Sequence, residues 1–419
     1  MSNIIVNGPA KLHGNIKVGG CKNAALPIIT ATLLTRGVSR LSNVPDITDI
    51  RNLLKIIEKL DGKVTFKNNV LLIDTTKING KDPDASLVKK FRASILLLGP
   101  MLTRTSQVNI PAPGGCIIGN RPLDYIFNAL EKLGVTIEEK GETYTFHSEK
   151  LKGADIVLDL MSVTATENTI MAASLAEGTT RLSLAACESH VQDLCHFLNK
   201  MGARISGIGT NKLTIEGVKE LKPATYKIIS DEIEAGTYIV AAAATGSEIK
   251  IENIDPQKMD YSIFSKLKEA GVNLELGKNF IKVKKSVKIK PVNIWTAPSP
   301  HFPSDLQAPF SVLMTQADGS SLIHETMYEG RLNHLKELKK MGADASILDP
   351  HRAVIMGPTA LYGKNITTLD LRAGATLIVA ALIANGKSNI KNADIIDRGY
   401  ENIVEKLSNI GADIKRIGN

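Results

Sequence analysis

Aromatic side chains are scarce. Phe, Trp and Tyr together make up 4% of the sequence, with one tryptophan, which argues against a protein built on base-stacking platforms. Cysteine is scarce too: Cys21, Cys116, Cys187 and Cys195 are the only four. That is no disulfide framework, and a reducing cytoplasm is the expected compartment. Apolar runs such as LIVAALIA at 377–384 fall far short of the ~18–20 residues that a membrane-spanning helix needs. The start, MSNIIVNGPAKLHG, has no basic stretch followed by a long apolar core, so no signal peptide is expected.

What is present is bulk and positive charge. A chain of 419 residues is too long for one ordinary core and implies two domains or more. The formal net charge of +8 suits anionic partners, either nucleic acid or small phosphorylated molecules. No basic run interleaved with aromatics supports the nucleic-acid reading.

One unit recurs six times. Segments such as IRNLLKIIEKLDGKVTF, LDYIFNALEKLGVTI and RLNHLKELKKMGADASI share a helical pattern ending in an apolar residue and glycine, then a strand-like run. The glycines are Gly62, Gly134, Gly202, Gly271, Gly342 and Gly411, spaced 72, 68, 69, 71 and 69 residues apart. Leu53, Ile56, Ile57 and Leu60 lie on one helical face. Gly62 is expected to stop that helix in the left-handed conformation, which glycine adopts cheaply. Upstream in each copy lies a second segment, for example NAALPIITATLL, RASILLLGPMLT or RAGATLIVAALIA, apolar nearly all round. Such a helix is buried. Each copy therefore reads strand, buried helix, strand, surface helix, strand, strand, and three copies per domain make a two-domain α/β protein.

The starts of the buried helices are polar: Lys22-Asn23, Arg92 to Ser94, Ser162 to Thr164 with Glu167, Asp231-Glu232, Ser304-Asp305 and Asp370 to Arg372. Capping explains the Ser, Thr, Asp and Asn. It does not explain Lys22, Arg92 and Arg372, because a cation at a helix N-terminus opposes the dipole. An anion that uses both the cations and the free N–H groups would. Arg121, Arg331 and Arg398 occupy matching positions before three surface helices. If those ends share one side of each domain, the six cations line a cleft suited to a small, highly anionic substrate, since arginine forks match phosphate and carboxylate. Within PAPGGCIIGNR at 111–121, Cys116 is either a buried structural thiol or a reactive one. The cluster Cys187, His190, Cys195 and His196 contains zinc-ligand types, but core thiols and surface histidines account for it better.

The blocks KNAALP at 22–27, RASILLLGP at 92–100, PGGCIIGNRPLD at 113–124, TAPSPHFPSDLQA at 296–308, DLRAGATLIVAALIA at 370–384 and IDRGYENI at 396–403 resemble the enolpyruvyl transferases. Within that family the likeness is to the members acting on a nucleotide sugar. The resemblance implies two inside-out α/β barrel domains, each of three βαβαββ-type repeats. One would span 22–229 and carry a cysteine lid loop at about 112–122. The other would combine 1–21 with 230–419, with the active site in the cleft between them. It implies transfer of the enolpyruvyl group of phosphoenolpyruvate to the 3-hydroxyl of UDP-N-acetylglucosamine, with release of phosphate, in cytoplasmic peptidoglycan precursor synthesis.

By the same resemblance Cys116 is the acid, open to a pyruvate adduct and to fosfomycin, and Asp305 is the base or the group orienting the hydroxyl. Lys22 and Arg398 complete the catalytic set. Lys22, Asn23, Arg121, Arg331, Arg372 and Arg398 would hold phosphoenolpyruvate. Asn23, Arg92, Arg121, Pro122, Leu123, Asp124, Tyr125, Ser162, Val163, Asp305 and Met327 would face the nucleotide sugar. No metal or other cofactor is implied, because arginines supply the charge stabilisation, and a monomer is expected. Departures from the family pattern fall at Leu160, at Glu188-Ser189-His190, at Glu232 and at Tyr328 to Arg331. Two other readings are a shikimate 3-phosphate enolpyruvyl transferase and an inactive homologue with a binding role. Cys116 argues against the first, and the retained Asp305 and cations against the second.

Overall fold

The computed structural model describes residues 2–114, 118, 119 and 122–418. The chain divides into two compact units. Unit 1 comprises Met1–Gly19, Ile117–Asn120 and Ser230–Asn419; unit 2 comprises Gly20–Cys116 and Arg121–Ile229.

The third copy shows the repeat most plainly. Strand Asp155–Val157 leads to buried helix Val163–Ala173, strand Thr179–Ser183, surface helix Ser189–Met201 and strands Arg204–Ser206 and Lys212–Glu216. The first two strands pair in parallel, Ile156 opposite Leu182, and the others antiparallel. The surface helix buries Val191, Leu194, Cys195, Leu198 and Met201. Each such apolar side chain removed from water contributes about 1.5–3 kcal/mol.

Four copies depart from the expected pattern. Strand Asn15–Lys17 precedes buried helix Lys22–Ala31 in sequence, yet pairs with Ile249–Glu252 in unit 1. Strand Thr225–Lys227 precedes buried helix Glu232–Ala244, yet pairs with Val38–Ser42 in unit 2. These two leading strands are exchanged between copies one and four. The sixth copy takes its last strand from the chain's start: Asn3–Gly8 lies between Gly386–Lys391 and Asp413–Ile417. In the second copy the expected single helix is split into a 3-10 segment, Arg92–Leu97, and an α segment, Leu98–Arg104. Pro100 sits in the first turn of the α segment, where a missing N–H breaks no helical bond.

The buried helices approach one another at glycine. Gly99 donates its N–H to Asn168 Oδ1 at 2.9 Å, and a Cβ there would lie 2.7 Å from the Asn168 carbonyl oxygen. In unit 1 helices Glu232–Ala244, Ser304–Met314 and Leu371–Ile383 pack on each other. A Cβ on Gly236 would meet Leu306 at 2.6 Å. The repeat glycines are left-handed in five copies, with φ of 93° at Gly134 and 108° at Gly202. The first copy differs from expectation: Asp61 carries the positive φ of 70°, and Gly62 is needed because a Cβ would strike Ile57 at 2.6 Å.

Candidate functional site

Unit 1 gathers three of the expected residues around one carboxylate. Asp305 is the second residue of helix Ser304–Met314. Arg372 holds the same place in Leu371–Ile383, whose N-terminus Asp370 caps through the N–H groups of Arg372 and Ala373. Arg331 lies in the turn before helix His334–Lys340. Arg331 Nη2 donates to Asp305 Oδ1 at 2.7 Å, and Arg372 Nε and Nη2 both reach Oδ2 at 2.8 Å. The arginine side chains are 8% and 3% exposed. Despite burial, the surrounding acidic charges, Asp305 first, hold both guanidinium groups above their ordinary range.

Arg331 Nε and Nη1 and Arg372 Nη1 are buried with no hydrogen-bond partner among the described residues. Buried donors are nearly always paired, and these belong to groups that bind anions in forks. The cluster therefore has donors to spare for a carboxylate or phosphate. Half-buried Arg398 ends the 3-10 segment Ala393–Arg398. A Cβ on its neighbour Gly399 would lie 2.7 Å from Leu371 Cδ1 and in ordinary contact with Arg372 Nη1, at 3.7 Å.

Two residues here were not anticipated from the sequence. His334 is buried, its Nδ1 is 3.1 Å from the Arg331 carbonyl oxygen, and burial pushes its imidazole down to about 4. It is a neutral prop for the Arg331 turn. Glu325 is wholly buried and accepts from Ser304 Oγ at 2.7 Å and Met327 N–H at 3.0 Å. The polar residue Ser304, expected as a cap, is therefore a donor instead. The signal for Glu325 lies in its strand: in Gly319–Glu325, Ser321, Ile323 and Glu325 alternate inward.

In unit 2 the expected residues lie at or next to the starts of helices. Lys22 opens helix Lys22–Ala31, is buried, and pairs with Asp49 at 2.8 Å; Asn23 follows it, half-buried. Arg92 opens its 3-10 segment and reaches the Pro122 carbonyl oxygen at 3.5 Å. Leu123 precedes helix Asp124–Lys132, which begins with Asp124 and Tyr125. Ser162 caps helix Val163–Ala173 through Ala165 N–H at 3.3 Å. Arg92 and Pro122 are thus brought together. Cys116 and Arg121 lie outside the described residues.

Among the family departures, Leu160 is exposed, and Glu232 is buried with its carboxylate accepting Asp260 N–H at 2.8 Å. Cys195 is a core thiol, pushed up to about 12 chiefly by burial, and Cys21 is buried as well. His196 is exposed, but His190 is buried, which corrects the expectation of surface histidines.

Glu167, in the same region, is buried, and its Oε1 has no partner among the described residues. Desolvation and then the charge of Glu188 raise its carboxyl well above the usual range. The native state keeps a proton that the unfolded chain loses above about pH 4.3. Stability is therefore lost as pH rises from there through the folded value. Glu167→Gln should raise the unfolding midpoint at pH 8, by about 2–4 °C per kcal/mol, and the gain should shrink toward pH 5. Thermal unfolding at both pH values checks this, and a gain independent of pH would contradict it.

Two α/β units built from repeats with buried helices, one holding arginines with donors free for an anion, define the class: an enolpyruvyl-transferase fold. The chain is similar to the enolpyruvyl transferase NikO from Streptomyces tendae, with a TM-score of 0.91 at 23% identity and 99% of each chain covered. An EPSP synthase from Acinetobacter baumannii matches with a TM-score of 0.78 at 19% identity over all of both chains. The chain belongs to the EPSP synthase (3-phosphoshikimate 1-carboxyvinyltransferase) family, whose model matches residues 6–407. Its curated relatives include the UDP-N-acetylglucosamine 1-carboxyvinyltransferase of Halothermothrix orenii, 44% identical over all of both chains. Another is UDP-N-acetylglucosamine 1-carboxyvinyltransferase 1 of Carboxydothermus hydrogenoformans, 45% identical over 100% of this chain and 99% of the relative. Among the described residues no helix is long and apolar enough to cross a membrane.

Proposed function

We propose that this protein transfers the enolpyruvyl group of phosphoenolpyruvate to the 3-hydroxyl of UDP-N-acetylglucosamine and releases phosphate, in cytoplasmic peptidoglycan precursor synthesis. The observation that carries the reading is the Asp305–Arg331–Arg372 cluster with its spare buried donors. The full-length relatives at 44–45% identity favour the nucleotide sugar as acceptor, since the EPSP synthase likeness is at 19%.

Addition comes first. The sugar hydroxyl oxygen bonds to C2 of phosphoenolpyruvate, its proton goes to Asp305, and Cys116 gives a proton to C3. Elimination then breaks the C2–O bond to phosphate, and C3 returns its proton, restoring the double bond. A thiol near neutral pKa suits such exchange. Asp305 accepts from two guanidinium groups in the structure. An incoming carboxylate or phosphate competes for those forks and releases the Asp305 carboxylate for the hydroxyl. Lys22, Asn23, Arg121 and Arg398 join Arg331 and Arg372 in holding phosphoenolpyruvate. Arg92, the segment from Arg121 to Tyr125, Ser162, Val163 and Met327 face the nucleotide sugar along with Asn23 and Asp305.

Phosphate should appear only when phosphoenolpyruvate and UDP-N-acetylglucosamine are both present. Folded protein that releases none would refute the reading, and release with shikimate 3-phosphate instead would reassign the acceptor.

A further inference from the structure

We propose that Glu325 is a positioning residue that sets Asp305 against Arg331; this rests on the enolpyruvyl-transfer reading. Glu325 closes strand Gly319–Glu325 and is 0% exposed. Its main chain is fixed on both sides by His351. The Glu325 N–H donates to the His351 carbonyl oxygen at 2.7 Å, and His351 Nδ1 is 2.7 Å from the Glu325 carbonyl oxygen. The carboxylate is thus presented from a rigid strand end.

Its two oxygens then hold two different segments. Oε2 takes the hydroxyl of Ser304, the residue immediately before Asp305. Oε1 takes the N–H of Met327, at the start of the turn in which the Arg331 N–H closes on the Tyr328 carbonyl at 3.2 Å. One side chain therefore ties together the segments that carry the two members of the 2.7 Å Asp305–Arg331 pair.

Burying a carboxylate is costly unless it is hydrogen-bonded and compensated. Glu325 has two neutral donors, and its charge acts on Arg331. An apolar residue would fill the same space without that penalty, but it would leave Ser304 Oγ and the Met327 N–H without their acceptor. Ser304 also shows where its hydroxyl is needed: it opens the helix, yet Pro303 occupies the cap position and makes no side-chain bond.

Glu325→Gln keeps the size but offers one oxygen where two donors need acceptors, so one of the segments must shift. A misplacement of about 1 Å in a catalytic group can lower the rate about 100-fold. With phosphoenolpyruvate and UDP-N-acetylglucosamine as substrates, Glu325→Gln should lower kcat about 10–100-fold, with an unfolding midpoint close to that of the unsubstituted protein. Ser304→Ala should lower kcat severalfold, and the loss in the double variant should fall short of the product of the two single losses, because the Ser304–Glu325 bond is common to both. A merely structural role predicts unchanged kcat in the folded fraction of both variants. Folded Glu325→Gln with kcat within twofold of the unsubstituted protein overturns the proposal, as do losses that multiply. If Glu325→Gln does not fold, Ser304→Ala decides alone: lowered kcat supports the role and unchanged kcat overturns it. Failure of the unsubstituted protein to release phosphate refutes the transfer reading itself, and this role with it.

Discussion

Asp305→Ala should destabilise unit 1 by about 3–5 kcal/mol and lower turnover about 10²–10⁴-fold. The two effects have different origins. Stability falls because Arg331 and Arg372, 8% and 3% exposed, lose the carboxylate that both of them bind. The Glu325 and Asp370 charges still act on Arg331, but neither of them has a hydrogen bond to its guanidinium that replaces the one at 2.7 Å. Turnover falls because the group assigned to the hydroxyl proton is gone. The variant also makes a distinctive ligand prediction. Inorganic phosphate fits two guanidinium groups freed of their carboxylate, so it should raise the unfolding midpoint of Asp305→Ala more than that of the unsubstituted protein. Asp305→Asn, with one carbonyl oxygen left, should fall between. Denaturant unfolding with and without phosphate checks this, and an Asp305→Ala midpoint equal to the unsubstituted one would mean that the arginines are held by something else.

The repeat was readable because it depends on local chemistry. The apolar faces, the apolar-Gly endings and the near-constant spacing each follow from periods of 3.6 and 2 within short windows. Where reading failed, a contact that the repeat pattern does not encode decided. The glycine at 62 was visible, but its reason was not: Asp61 takes the left-handed turn, and Gly62 avoids Ile57. The exchange of strands Asn15–Lys17 and Thr225–Lys227 was hidden because each lies just before the helix of the copy it leaves.

The site divides in the same way. The cations at helix starts stood out because they oppose the dipole. That Arg331 and Arg372 converge on Asp305 did not, since the partners are 26 and 67 residues away. Glu325 could have been found from the alternation in its strand, which places a carboxylate on a buried face. His334 offered no comparable signal, because its role follows from a contact with the Arg331 carbonyl oxygen that forms in a turn.

Arg372→Lys keeps the charge and should still lower kcat/KM for phosphoenolpyruvate about 10–100-fold, because the charge-assisted hydrogen bond that its remaining donor can give an anion, worth about 1.5–3 kcal/mol, is lost. Arg372 uses one edge, Nε with Nη2, on Asp305 and keeps Nη1 unpartnered, while its guanidinium lies 5.3 Å from the Tyr400 ring centre. The planar fork thus serves the carboxylate on one edge with a donor left over for an anion. An ammonium has no second edge, and it is more strongly hydrated, so burying it at 3% exposure adds a desolvation penalty that guanidinium bears more easily. Tyr400 is itself held, its hydroxyl 2.9 Å from Thr237 Oγ1, so the ring does not follow a shorter side chain. The loss should fall mainly on KM for phosphoenolpyruvate, with KM for the nucleotide sugar little changed, in steady-state kinetics with each substrate varied in turn. A lysine variant within threefold of the unsubstituted protein would mean that charge alone suffices at this position and that the fork geometry carries no specificity.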